Sequence, residues 1–151
     1  VEAEAWTEVT NDEASPRGMT PLFDAIGRIV ALAEAAAPEM AVLVIMTDGL
    51  ENASREITGD GAKAALDRAR DRGWEVVFLG AEFANFSDAE SVGVRQDKSI
   101  AVGAEYFSST MERLGKKSRA YAQDEAAEIE FDEEDRALSG EEDVRQRTGQ
   151  R

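Results

Sequence analysis

The seven residues from Met40 to Met46, "MAVLVIM", are apolar at every position. A run this short and this rich in β-branched side chains reads as a strand, and its lack of polar alternation predicts a strand covered on both faces. Such a strand belongs in a parallel sheet with helices packed above and below, which places the chain in the α/β class.

The flanking segments have the matching order. "TPLFDAIGRIVALAEAAAP" opens with Thr20 as a cap and Pro21 at the first helical position, sets Leu22, Ile26, Ile29, Val30 and Ala33 at helical spacing, and stops at Pro38. "TGDGAKAALDRARDRG" predicts a second helix from about Gly61 to Arg72, capped by Thr58 or Asp60 and closed by Gly73. "WEVVFLGA" is a second strand, so the centre of the chain is a βαβ unit with an expected right-handed crossover. Trp74, Phe78 and Phe83, at the start and end of that strand, are expected to pack helices onto the sheet.

Further on, a short helix from Ser87, a third short strand at "SIAVG" and an amphipathic helix over 104–122 are expected. Residues 124–151 then carry eleven acidic against four basic side chains and few large apolar ones, which predicts a solvated, disordered tail. The expected organisation is an N-terminal remnant or linker over 1–15, an α/β domain over 16–123 and the acidic tail over 124–151.

Composition narrows the function. Net charge is −15, which argues against nucleic-acid backbones and anionic membrane surfaces and favours cations and basic partners. The longest uncharged stretch is eight residues, Met40 to Thr47, against the roughly 20 that a membrane-spanning helix needs. There is no cysteine and no histidine, so a metal here must be held by oxygen, and the expected compartment is the reducing cytoplasm. No Gly-rich phosphate loop and no G-x-S-x-G elbow is present, and the chain reads as non-enzymatic. A Mg²⁺-dependent phosphohydrolase, with Asp48 as nucleophile or ligand, is the minor alternative; its second carboxylate would be Glu51, since Asp24 has no evident route to Asp48.

"MTDGLENAS", residues 46 to 54, puts Asp48 where the first strand stops, the edge of an α/β sheet at which ligands gather. Two readings of Asp48 stand together: a ligand for a hard cation alongside the Thr20 hydroxyl, or a cap bonded to the amides of its own turn. Asn52 and Ser54 are read either as polar groups around that site or as caps of the following helix, and Glu51 as site or surface.

"GMTPLFDAIGRIV", "VLVIMTDGLENAS" and "GWEVVFLGA" together resemble the von Willebrand factor type A domain, over roughly residues 16 to 122, and in particular its short bacterial and phage-type group. The resemblance implies a doubly wound, mostly parallel Rossmann-like sheet flanked by helices, with a metal-ion-dependent adhesion site. Thr20 matches that site's second loop and Asp48 its third, while the first loop, D-x-S-x-S, occurs nowhere in the chain. The implied function is a non-catalytic protein-binding module in which Mg²⁺ or Mn²⁺, held weakly by Thr20 and Asp48, takes an acidic side chain from a partner. Lacking the family's first strand, the chain is expected to be a fragment of a longer gene product whose strand at 40–46 forms a bare sheet edge. The alternative function follows from that edge: a metal-free association fragment.

Overall fold

The computed structural model describes residues 19–82 and 86–149. Along them run α1 (Leu22–Ala36), β1 (Val42–Thr47), α2 (Gly59–Asp71), β2 (Glu75–Ala81), α3 (Ser87–Ser91), β3 (Ser99–Val102), α4 (Phe107–Ala122), α5 (Glu133–Leu138) and α6 (Glu141–Thr148). The strands form one parallel sheet in the order β1-β2-β3, with Val44 opposite Val77 and Leu79 opposite Ile100. This is the α/β class expected, and parallel strands between flanking helices are consistent with a Rossmann-like arrangement. The expected remnant at 1–15 and Phe83 lie outside the described residues.

β2 explains the layering. Val76, Val77, Phe78 and Leu79 are all buried, and because successive side chains point to opposite faces, both faces of the sheet need cover. On one face Leu22, Ile26 and Val30 of α1, Ala62, Ala65, Leu66 and Ala69 of α2 and Ala89 of α3 pack on Leu43, Ile45, Val76 and Phe78. Trp74 and Phe78 belong to this core, and Phe86 meets Phe78 edge-on with ring centroids 6.2 Å apart. Gly27, in the middle of α1, follows from close packing: a Cβ there would lie 2.3 Å from Ile57 Cδ1.

The opposite face departs from expectation. Val77, Leu79, Ile100 and Val102 are covered by Leu114 and Tyr121 of α4, and also by Ile129 and Phe131, which lie in the segment expected to be a solvated tail. Val144 of α6 is fully buried as well. The acidic segment 124–149 is therefore part of the folded unit. Three side chains are enough to anchor it, because each large apolar group contributes about 1.5–3 kcal/mol on burial.

Its buried carboxylates, and several exposed ones, are matched by cations. Lys98 Nζ lies 2.7 Å from Glu75 and 2.9 Å from Glu128, while Asp135 lies 2.7 Å from Arg113 Nε and 2.8 Å from Lys117 Nζ. Buried Glu141 pairs with Arg136 and Arg145 and accepts the Ala101 amide of β3. Glu75 Oε2 also accepts the Ile129 amide at 2.9 Å, tying the segment to the start of β2.

The expectation that the first strand is covered on both faces is corrected too. Leu43, Ile45 and Thr47 are buried, but Val44 is 40% and Met46 42% exposed. The second layer packs on β2 and β3 and reaches β1 only at Val42, and β1 is one of the two edge strands among the described residues. Phe131→Ala is expected to lower unfolding free energy by about 3 kcal/mol, whereas Val44→Thr should cost less than about 1 kcal/mol. Urea midpoints at constant slope measure both.

Candidate functional site

A helix begins with amides that have no partner within it. At α1 these amides are satisfied by the loop after β1. Thr20 N donates to Asn52 Oδ1 at 2.8 Å, Phe23 N to Glu51 Oε2 at 2.9 Å and Asp24 N to Ser54 Oγ at 3.1 Å, while Pro21 has no N–H to satisfy. Asn52 N returns a bond to Thr20 O at 3.2 Å. Thr20 is therefore not a side-chain cap, and Pro21 precedes the helix rather than opening it. Glu51 and Ser54 cap α1 across the sheet edge, with Asn52 holding the residue before Pro21; the cap of α2 is Thr58, which accepts the Gly61 amide at 3.1 Å.

The clasp is reciprocal. Asp24, in the first turn of α1, accepts the amides of Arg55, Glu56 and Ile57 at 2.9, 3.0 and 2.8 Å. Glu51 accepts Ala53 N, Ser54 N and Ser54 Oγ at 2.8, 2.7 and 2.7 Å. The Arg55 amide, opposed by burial and helped by the Ile57 and Glu56 amides, holds the Asp24 carboxyl below its ordinary range. Burial pushes Glu51 up, but the bonds from Ser54, Phe23 and Ala53 together outweigh it and leave that carboxyl lowered as well. A third loop joins at Asp88, at the start of α3, whose Oδ2 accepts the Glu51 amide at 2.6 Å.

Asp48 stands apart from this network. The turn after β1 is closed by Thr47, whose Oγ1 donates to Gly49 O at 2.7 Å and accepts Gly49 N at 3.2 Å. The turn-capping role weighed for Asp48 thus belongs to its neighbour. Asp48 is exposed, and among the described residues its carboxylate makes no hydrogen bond or ion pair. Among the described residues the Thr20 hydroxyl is likewise uncommitted, and it faces the same turn, since a Cβ on Gly49 would lie 3.5 Å from Thr20 Oγ1.

The fold thus brings the two sequence-predicted loops together at the carboxyl end of β1. The donor set there is one hydroxyl and one carboxylate, both hard oxygens that suit Mg²⁺ or Mn²⁺, with water filling the remaining positions. Among the described residues no group of three or more Asp and Glu side chains is placed to hold an ion. Asp24 and Glu51, the other nearby acids, are occupied by backbone amides. Sequence reasoning missed their clasping role, although "ENAS", an acid three residues before a serine, is a spacing that lets one side chain reach the other's amide.

No family model matches the chain, and no curated protein or solved structure matches it either.

Asp24 and Glu51 both bind protons less readily folded than unfolded, so their contribution is complete above their ordinary values of 3.8 and 4.5 and is lost as pH falls below these toward the lowered folded values. Glu51→Gln is expected to lower stability at pH 7 by about 2 kcal/mol and to flatten the acid limb. Asp48→Asn should leave stability at pH 7 unchanged. Urea unfolding between about pH 7 and 3 distinguishes them.

Proposed function

We propose that this chain is a non-catalytic protein-binding module of the von Willebrand factor type A kind. Thr20 and Asp48 form a partial site for Mg²⁺ or Mn²⁺, and an acidic side chain of a protein partner completes the coordination. The observation that carries this reading is selective: Asp24, Glu51, Asn52 and Ser54 are all spent on holding loops together, while the two predicted ligands keep their side-chain oxygens free of any described partner. A carboxylate that stabilises nothing locally, held at the carboxyl edge of a parallel sheet by a braced loop, is poised for an external ligand.

When bound, the ion would supply positive charge for a partner's carboxylate. The chain's part is to present the Thr20 hydroxyl and the Asp48 carboxylate on loops that cannot drift apart. Two protein oxygens leave about four positions of an octahedral ion to water and partner, so binding is weak, on the order of millimolar. The phosphohydrolase alternative gains nothing here, because the carboxylate it would recruit, Glu51, already accepts four hydrogen bonds.

A second reading, association without metal, rests on a different observation: edge strand β1 exposes Val44 and Met46. The two readings part on metal dependence. Calorimetric titration of Mn²⁺ and Mg²⁺ into the 151-residue chain is expected to show saturable heat that Asp48→Ala and Thr20→Ala both abolish. Absence of saturable heat in the parent overturns the metal reading. Association is then tested by sedimentation of the parent against Val44→Asp, which should be monomeric.

A further inference from the structure

A second feature of the carboxyl edge lies between the loops that follow β2 and β3. There a cavity of about 620 Å³ is lined by Glu82, Gly103, Glu105, Tyr106, Asp143 and Arg147, among others. Its volume is within the range of about 300–1,000 Å³ usual for small-molecule sites. It is separate from Thr20 and Asp48, which stand at the end of β1.

Three carboxylates, Glu82, Glu105 and Asp143, face one guanidinium, Arg147. Glu82 follows β2 directly, and its carboxylate spans the gap between the two loops. Oε1 accepts the Ala104 amide, and Oε2 lies 2.8 Å from Arg147 Nη2. Tyr106 forms a wall, seated so closely that a Cβ on Gly140 would come within 2.4 Å of its ring. Its hydroxyl donates to Asp143 Oδ2 at 3.4 Å.

The arginine reveals the cavity's chemistry. Arg147 comes from the last turn of α6, and its Nε donates to Asp143 O at 3.3 Å. Its guanidinium lies beside Gly103, where a Cβ would be 3.1 Å from the Tyr106 ring, 3.6 Å from Arg147 Nη2 and 3.7 Å from Glu82 Oε1. A planar cation therefore already rests on a carboxylate, the group that recognises guanidinium most strongly, in a cavity that the Tyr106 side chain also lines. The contact is weakly held, since Arg147 is 58% and Glu82 41% exposed, and pairs of that kind exchange readily with solvent and competing ions. Glu105, also in the lining, has no ion-pair partner among the described residues.

We propose that this cavity is a binding site for a guanidinium group, and that Arg147 is an internal stand-in which the ligand's guanidinium displaces from Glu82. The group arrives either on a small molecule or as an arginine side chain of a protein partner. The proposal does not rest on metal binding at Thr20 and Asp48, and its test contains no metal.

The test compares three probes by calorimetry on the full chain at low salt: agmatine, N-acetyl-arginine amide, and N-acetyl-citrulline amide as the neutral analogue of the same shape. Arg147→Ala vacates the site, and because Arg147 is exposed near the end of α6 its thermal unfolding should match the parent. Both guanidinium probes are expected to bind this variant at least ten-fold more tightly than the parent, with citrulline silent. Adding Glu82→Gln, which keeps an acceptor for the Ala104 amide, should weaken binding at least ten-fold. Agmatine binding alone would assign a small-molecule ligand, and equal binding of the arginine amide an arginine side chain; both support the site. No saturable binding to Arg147→Ala, equal binding of citrulline, or indifference to Glu82→Gln would overturn it.

Discussion

Everything in this fold follows from β2 being buried on both sides. A strand whose side chains Val76, Val77, Phe78 and Leu79 all leave water must have a cover above and a cover below. The first comes from α1, α2 and α3. For the second, α4 supplies Leu114 and Tyr121, and the C-terminal segment closes the remainder with Ile129 and Phe131. The segment's acidity sets the manner of closure. Buried Asp135 and Glu141 are each met by two cations, and Lys98 by two carboxylates, because a buried charge left alone would cost more than the apolar contacts return.

At the carboxyl edge of the sheet the same economy of polar groups separates structural acids from available ones. Asp24 and Glu51 hold α1 and the loop after β1 together, Asp24 by accepting the Arg55, Glu56 and Ile57 amides and Glu51 by accepting the Phe23 amide, and Asp88 extends the brace to α3. Thr47 closes the turn. With those tasks filled, none among the described residues falls to Asp48 or the Thr20 hydroxyl, which is why they carry the functional reading. Glu82 has a different character: it is engaged by a solvent-exposed arginine that another cation can replace.

The elements were largely legible from local signals. The positions of α1, α2, β1, β2, α3 and β3 follow from apolar spacing, Pro38 and the Thr58 cap, all of which act within a few residues. The convergence of the Thr20 and Asp48 loops was legible as well, because a helix leading directly into a strand brings its start near the strand's end. Three things were not. Thr20 looked like a cap because threonine before a helix usually is one, yet the loop at 51–54 reached those amides from thirty residues away in sequence. The uniform apolarity of 40–46 suggested two covered faces, but the second layer sits over β2 and β3 and leaves Val44 and Met46 of β1 partly open. Segment 124–149 looked disordered because composition averages over the few apolar side chains that dock.

The sequence by itself determined which residues become helix or strand, that the sheet is parallel and layered, and that any metal must be held by oxygen, since these depend on periodicity and on side-chain types present or absent. Only the tertiary structure decided which carboxylates are free. Eleven acids in one segment look alike in a sequence, and so do Asp24, Asp48 and Glu51. What separates them is whether an amide or a cation from a distant part of the chain arrives within about 3 Å, a contact that exists only after the sheet has brought the loops together.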